Sequence, residues 1–333
     1  VVRSRGLGDV YKRQVIYRRH TNFSMECVKQ TITGVDTITT SSGSKGSVII
    51  SRNGDLLHQL WLKTDSTADF LEGMIAQRGS IRGDSIIEEA IIEIGGQRID
   101  RHTKEWNQVW AELTTPVSKC DAYKYLTGGF SSKFNVNESA PALSTRIQIG
   151  TRQQSIMIPF NFWFCRDIGL ALPLIALQYH DVELKLTFGT GSSTGNISRT
   201  GLSDILPTVE IWADFIYLDT DERRRFSQVS HEYLIEQLQV QEEGSAVNDI
   251  KLNFDHPVKE LIWTSEPEIS YTAPESPYIS SSGDITTYPI TTQKARLEFN
   301  GHDRFTEQTR EYFQIKQPMV HHTSVPGYNI KEY

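Results

Sequence analysis

Cysteine is scarce in this chain. Cys27, Cys120 and Cys165 are far apart in 333 residues, and no two form a C-x-x-C pair. An odd number excludes a complete disulfide framework and favours a reducing compartment. Long apolar runs are lacking too: the longest uncharged one, residues 168–179, is too short to span a bilayer and is broken by Pro173. The arginines near the N-terminus lead into no apolar segment or cleavage site, so no secretory signal is expected. Positive charge is in deficit, with 34 Lys and Arg against 41 Asp and Glu and a formal net charge of −7. With a pI of about 5.8, such a surface repels phosphate, and no direct nucleic-acid binding is expected.

Patterns that carry chemistry are equally absent from the sequence. Nine histidines are present, but none forms an H-E-x-x-H or a His pair with a glutamate at cupin spacing. His321 and His322 are adjacent, and neighbours on a strand point to opposite faces, which argues against chelation. No G-x-S-x-G nucleophile elbow or G-x-x-x-x-G-K-[ST] phosphate loop occurs. The carboxylates of Asp219 and Asp221 stand in a run of charges that reads as a linker instead of a pocket. We therefore expect no catalytic residue, no metal and no cofactor. Sequons at Asn22, Asn137 and Asn196 are expected to stay unused without a secretory route.

What the chain does have is strand signal. Residues 182–188 alternate cleanly, with Val182, Leu184, Leu186 and Phe188 on one face and Glu183, Lys185 and Thr187 on the other. Residues 209–218 alternate less strictly and are aromatic-rich. SVIISR at 47–52 is β-branched, Asn53-Gly54 is a hairpin signal, and an apolar run resumes over 56–62. Residues 91–94 lead into a second tight-turn dipeptide, Gly95-Gly96, with a return over 98–100. Helical signal is confined to residues 104–113, where Trp106, Val109, Trp110 and Leu113 share a face behind a Thr103 cap, and to residues 69–77. Residues 158–180 (IPFNFWFCRDIGLALPLIALQYH) gather Phe160, Phe162, Trp163 and Phe164 within five positions, a supply of flat apolar area suited to the later strands of a β-sandwich core. Pro159 and Pro173 suit strand ends or loops. The whole is an all-β, mostly antiparallel reading with short helices in loops.

The chain also repeats itself. IEIGGQ at 92–97 is echoed by LEFNGH at 297–302, TKEW at 103–106 by TREY at 309–312, Trp61 by Trp263, and SVIISR by DIKLNF at 249–254. Three regions in the same order at nearly one offset indicate two similar domains in tandem, the second expected to stop before its last strands. Residues 1–14 (VVRSRGLGDVYKRQ) follow no strand or helix period and are set aside as an adapter-like segment.

Seven collinear blocks carry a resemblance: YRRHTNFSME (17–26), ISRNGDLLH (50–58), IEIGGQRID (92–100), the 158–180 run, LDTDERRRF (218–226), HEYLIEQ (231–237) and NFDHPVKELIW (253–263). Together they resemble the major capsid proteins of nucleocytoplasmic large DNA viruses. The resemblance implies a double jelly roll, with residues 15–222 as the first roll and 223–333 as the second. It implies a homotrimer whose six rolls form a pseudo-hexagonal capsomer tiling an icosahedral shell. Partners would then be the chain itself, neighbouring capsomers, minor capsid proteins and an internal membrane. The protein would be assembled in the host cytoplasm and end in the virion. Against the family, a first strand before Tyr17 is expected to be lacking.

Asp219, Asp221, Glu222, Arg223, Arg224 and Arg225 fall where one roll hands over to the next, and bidentate guanidinium–carboxylate pairing there is expected to fix the angle between the rolls. The loops at 192–203 and 266–289 are expected to form outer towers of the trimer. The alternative is a carbohydrate-binding jelly roll using Trp61, Trp106, Trp110 or Trp163, with an enzyme a remote third reading.

Overall fold

The structure is a computed structural model and describes residues 22–37, 43–66, 86–127, 154–188, 208–243, 249–264, 294–326 and 331–332. The adapter-like segment 1–14, the helix expected at 69–77, the loops at 192–203 and 266–289, and the sequons at Asn137 and Asn196 lie outside the described residues.

Eight strands build the first half: β1 (Phe23–Gln30), β2 (Lys45–Ile49), β3 (Leu56–Ser66), β4 (Ile87–Ile94), β5 (Gln97–Thr103), β6 (Gln154–Pro159), β7 (Val182–Phe188) and β8 (Val209–Leu218). They form two antiparallel sheets ordered β1-β8-β3-β6 and β2-β7-β4-β5, the second extended beyond β2 by the two residues Thr33–Gly34. The pairs β1–β8, β2–β7, β3–β6 and β4–β5 are nested like one long hairpin that has been wrapped, which is a jelly roll. A first strand is therefore present: Phe23–Gln30 takes that place beside the last strand, against the expectation that it would be lacking.

The alternation read from the sequence faces the gap between the sheets. Val182, Leu184, Leu186 and Phe188 of β7 meet Val209, Ile211, Ala213 and Phe215 of β8 in one buried cluster, joined by Leu60 and Leu62 of β3 and Ile92 of β4. Each fully buried side chain of this size contributes about 1.5–3 kcal/mol, so this cluster is the dominant favourable contribution to the roll. Gly95 and Gly96, at φ +60° and +77°, make the two-residue turn between β4 and β5 that their sequence announced.

Three expectations are corrected. Asn53-Gly54 is not a hairpin: β2 and β3 lie in different sheets, and the chain crosses the sandwich between them. Gly54 has no positive φ; an added Cβ would stand 2.6 Å from the Cβ of Phe215, so the glycine permits a close approach. The aromatic run is not on strands. Pro159 ends β6 opposite Trp61, and Phe160, Phe162, Trp163 and Phe164 lie in the crossover that follows, which includes the single-turn helix α3 (Trp163–Arg166, the third after two described below). The DTDERRRF segment, which reads as a linker in the sequence, is a helix, α4 (Thr220–Gln228).

Ahead of that crossover, Thr103 caps α1 (Lys104–Thr114) by accepting from the Trp106 amide at 3.4 Å, and α2 (Val117–Leu126) begins after Pro116. One irregularity anchors α4. Between Asp214–Gln59 and Phe215–Leu57 the β8–β3 register shifts, leaving His58 as a bulge whose Nδ1 lies 3.2 Å from the Phe164 carbonyl. The bulge reverses the facing of β3 beyond it, from Leu60 and Leu62 inward to Leu57 inward, while β8 keeps its alternation. Leu56 and Ile216 form a separate cluster with Ala171, against which Leu218 and Phe226 of α4 pack.

In the second half the described residues hold short ladders: β9 (Ile262–Trp263) with β14 (Lys331–Glu332), β10 (Lys294–Ala295) with β13 (Gln308–Thr309), and β11 (Glu298–Phe299) with β12 (His302–Asp303). Asn300 and Gly301, at φ +51° and +76°, turn β11 into β12 with the backbone of the Gly95-Gly96 turn, 205 residues after it. β13 then enters a helical stretch at Arg310, as β5 enters α1 at Thr103. The stretch continues as a π turn (Tyr312–Lys316) and α5 (Gln317–His321), so His321 and His322 are not on a strand.

Gly54→Ala is expected to cost about 1–3 kcal/mol by overpacking against Phe215. Urea unfolding of the variant should show a lower midpoint at unchanged slope. An unchanged midpoint would mean that the close approach is relaxed at no cost.

Candidate functional site at the joint between the two halves

The aromatic run starts a column of rings. Phe160 and Phe164 flank Phe162 in near-parallel stacks at 6.1 and 5.9 Å, Trp163 meets Phe164 edge-on at 5.1 Å, and all four are buried. Phe162 stacks on His102 of β5 at 4.6 Å, and His102 faces Trp106 at 6.2 Å. Helical spacing sets Trp106 on Trp110 at 5.2 Å, and Trp110 receives the edge of His322 from the second half at 5.9 Å. The column thus runs from the core of the first roll into its neighbour.

Polar contacts border it. The Arg166 guanidinium, at the end of α3, lies 4.0 Å over the Trp110 ring, donates to the Asn161 carbonyl at 3.2 Å and pairs with Glu236. Glu236 also pairs with Lys259. His322 Nε2 is 2.7 Å from Glu260, the Ser324 amide donates to the Leu113 carbonyl at 3.0 Å, and Ile262 packs on Val109 and Leu113. On β5, the buried Asp100 carboxylate contacts His102 Nε2 at 2.9 Å and accepts from the amides of Arg101 at 2.8 Å and Leu238 at 3.0 Å.

The cluster expected at this joint lies at the start of and along α4. Asp219 accepts from the Thr220 amide at 2.7 Å, Asp221 and Glu222 occupy the first turn of α4, and Arg225 occupies its last, the signs a helix dipole favours. Arg223 forks onto Asp55 of the first roll, Nε to Oδ1 at 2.9 Å and Nη2 to Oδ2 at 3.0 Å. Asp55, 8% exposed, also accepts from the Leu218 amide at 2.8 Å. The Arg224 carbonyl accepts from Ser227. Arg223 therefore clamps α4 to the roll it leaves, while contacts between the halves are made at Asp100, Trp110, Arg166 and Glu236. Sequence reasoning missed Asp55, Asp100 and Arg166 in these roles. The one signal for Asp100 and His102 was their inward parity on a strand that otherwise alternates.

Chemically the joint is a fastening. Burial pushes the Cys165 thiol up to about 12, so it is not a nucleophile at neutral pH. Among the described residues no three His, Cys, Asp or Glu side chains gather as a metal site, and no helix is long and apolar enough to cross a membrane.

The nested strand order and its echo define an all-β protein of the double jelly-roll class. Residues 10–219 match the family described as major capsid protein N-terminus, and residues 222–333 match the large eukaryotic DNA virus major capsid protein. The chain is 44% identical over 316 residues to the major capsid protein of Pyramimonas orientalis virus, covering 94% of this chain and 71% of that one. It is 33% identical over 339 residues to the major capsid protein of Paramecium bursaria Chlorella virus 1, covering 92% and 71%. A chain of the quasi-atomic PBCV-1 virus capsid superposes with a TM-score of 0.74 at 30% identity, over 97% of this chain and 80% of that one. The chain belongs to the major capsid protein family of large eukaryotic DNA viruses, and its role is structural, as a component of the virion capsid.

Glu236 makes the joint acid-sensitive. Burial alone would raise its carboxyl, but Lys259 and Arg166 outweigh burial and hold it below the ordinary 4.5. A depressed folded value gives stability that is complete above 4.5 and is lost as pH falls below it through the folded value. Hydrogen exchange at residues 236–238 and 322–324, taken relative to the intrinsic amide rate at each pH, should accelerate over that acid window in the parent. It should start faster and respond less to pH in Glu236→Gln; equal acid profiles would remove Glu236 from this role.

Proposed function

We propose that the chain is the repeating block of an icosahedral shell: a homotrimer with a pseudo-hexagonal outline, in which residues 15–222 form one roll and 223–333 the other. The observation that supports this most directly is the recurrence, 205 residues on, of a left-handed two-residue turn followed by a strand that enters a helix. Two rolls per chain give six per trimer, which is the geometry a hexagonal lattice needs. A closed lattice also needs each roll pair at one fixed angle. Aromatic stacking supplies a stiff spacer for that, and the Arg166–Glu236 pair supplies its lateral restraint. The Asp219–Arg225 helix contributes by fixing the point of departure through Arg223 and Asp55.

Partners on this reading are further copies, neighbouring capsomers, minor capsid proteins and an internal membrane, with assembly in the host cytoplasm. The lectin reading finds little support among the tryptophans proposed for it. Trp163 is buried, Trp106 and Trp110 are stacked on each other, and Arg166 covers Trp110. Trp61, half-buried, lies opposite Trp212 on β8.

Light scattering of the purified protein should give three times the chain mass, and a glycan array should show no binding. A monomer that binds glycans would overturn the assignment in favour of the lectin. Arg223→Ala should reduce stability by about 1–2 kcal/mol, the value of a charge-assisted bond to a buried carboxylate discounted for the half-exposed arginine. It should also lower trimer yield, with Arg223→Lys in between because the fork is lost and the charge kept. Unchanged yield and thermal stability in the alanine variant would refute the part given to α4.

A further inference from the structure

β5 is an edge of its sheet, and an edge strand presents unpaired amides and carbonyls that invite another strand. In this roll two of those groups are occupied by side chains. Opposite Ile92 and Glu93 of β4 the register shifts, leaving Ile99 as a bulge. The Ile99 carbonyl accepts from the side-chain amide of Gln237 at 2.6 Å. The next outward donor, the Arg101 amide, is taken by the Asp100 carboxylate at 2.8 Å, and the same carboxylate oxygen receives the Leu238 amide at 3.0 Å. Asp100 and His102 both point inward and are buried, although a central strand of this roll would carry apolar residues there. A bulge, an inward charge and a covering segment are three separate ways of closing an edge, and all three fall within five residues.

The covering segment belongs to the second half. Residues 231–243 run without helix or ladder, and Glu236, Gln237 and Leu238 all reach the first roll, at Arg166, Ile99 and Asp100. We propose that residues 236–238 are a guard strap that shields the β5 edge from a second copy of this chain, so that β5 is a concealed self-association surface. A capsid protein is made in many copies, and an unguarded edge would join copies strand to strand in competition with the ordered interfaces of the shell. With the strap detached, the strand that fits the vacated edge is an edge strand of another copy, because backbone pairing needs no sequence match. The inference does not depend on the trimer reading, since it is read as a change relative to the parent protein, whatever the parent's oligomeric state.

Two variants of the full chain test it. Gln237→Ala removes one exposed side chain and its bond to Ile99; Leu238→Pro removes the amide that Asp100 accepts, in a segment with no helix or ladder for proline to break. Light scattering across a dilution series should show species heavier than the parent that grow with concentration, more in the double variant than in either single one. Hydrogen exchange should show the Arg101 amide protected in those species. An excess of a peptide with the sequence of residues 234–240, LIEQLQV, should suppress the growth. Far-ultraviolet circular dichroism of Gln237→Ala should match the parent, which separates association from unfolding. The proposal fails if both variants keep the parent's mass distribution. It also fails if the heavier species leave the Arg101 amide open or gain protection at β1 instead, or if the peptide has no effect.

Discussion

Everything in the first half depends on one pairing, that of β1 with β8, residues separated by nearly the whole roll. Phe23 to Gln30 run antiparallel to Leu218 to Ile211 with no break in register. Because β8 also pairs with β3, the last strand is the middle of its sheet, and β7 holds the same place in the other. The apolar gap between sheets is therefore closed by the final two strands, and Val182, Leu184, Ile211 and Phe215 complete the core there. Such a fold assembles through contacts of long sequence separation, which slows folding and leaves edges open meanwhile. That a capsid roll spends buried positions on Asp100 and His102, where an apolar pair would stabilise more, follows from the need to keep edges closed.

The joint illustrates how stacked rings and charges divide the work. Burial of rings is non-directional and contributes most of the free energy, but rings slide over one another at little cost. Charged forks are directional and, where exposed, contribute little energy. At Trp110 the two are combined: Arg166 lies on one ring face while its fork reaches Glu236, so displacement of the second half would break a directional contact as well as expose apolar surface. Asp100 repeats the arrangement on the other side of the column, where its carboxylate holds both the ring of His102 and the backbone of Leu238.

What was legible in the sequence was local. The period-two alternation of 182–188, the Gly95-Gly96 turn and the Thr103 cap each depend on neighbours within a few residues, and each is found where the sequence places it. The offset between halves was legible because it repeats such local signals. What was not legible is pairing at distance. Arg223 and Asp55 are 168 residues apart, and Leu238 and Asp100 are 138 apart. Nothing in the run Arg223 to Arg225 says which carboxylate the first arginine finds, and adjacent Asp221 and Glu222 were the nearer guess. Asn53-Gly54 misled for the same reason: a turn dipeptide between two strands reads as a hairpin unless the partners of those strands are known. The aromatic run was legible as core and illegible as crossover, since burial needs no strand.

The bulge at His58 connects these levels. A single inserted residue in β3 turns Leu56 to the outer face, beside Ile216, which lies there by the unbroken alternation of β8, and the two form the apolar seat on which Phe226 and Leu218 rest. Without that seat, α4 would depend more heavily on Arg223, on a half-exposed fork that solvent weakens. With it, the helix leaves the roll from a fixed seat, and residues 236–238 meet Arg166, Ile99 and Asp100 of that roll. The path of the chain from one half to the other is thus set inside the first roll, by strand irregularity at one end and an inward carboxylate at the other. The second half needs only to meet the seam already prepared for it.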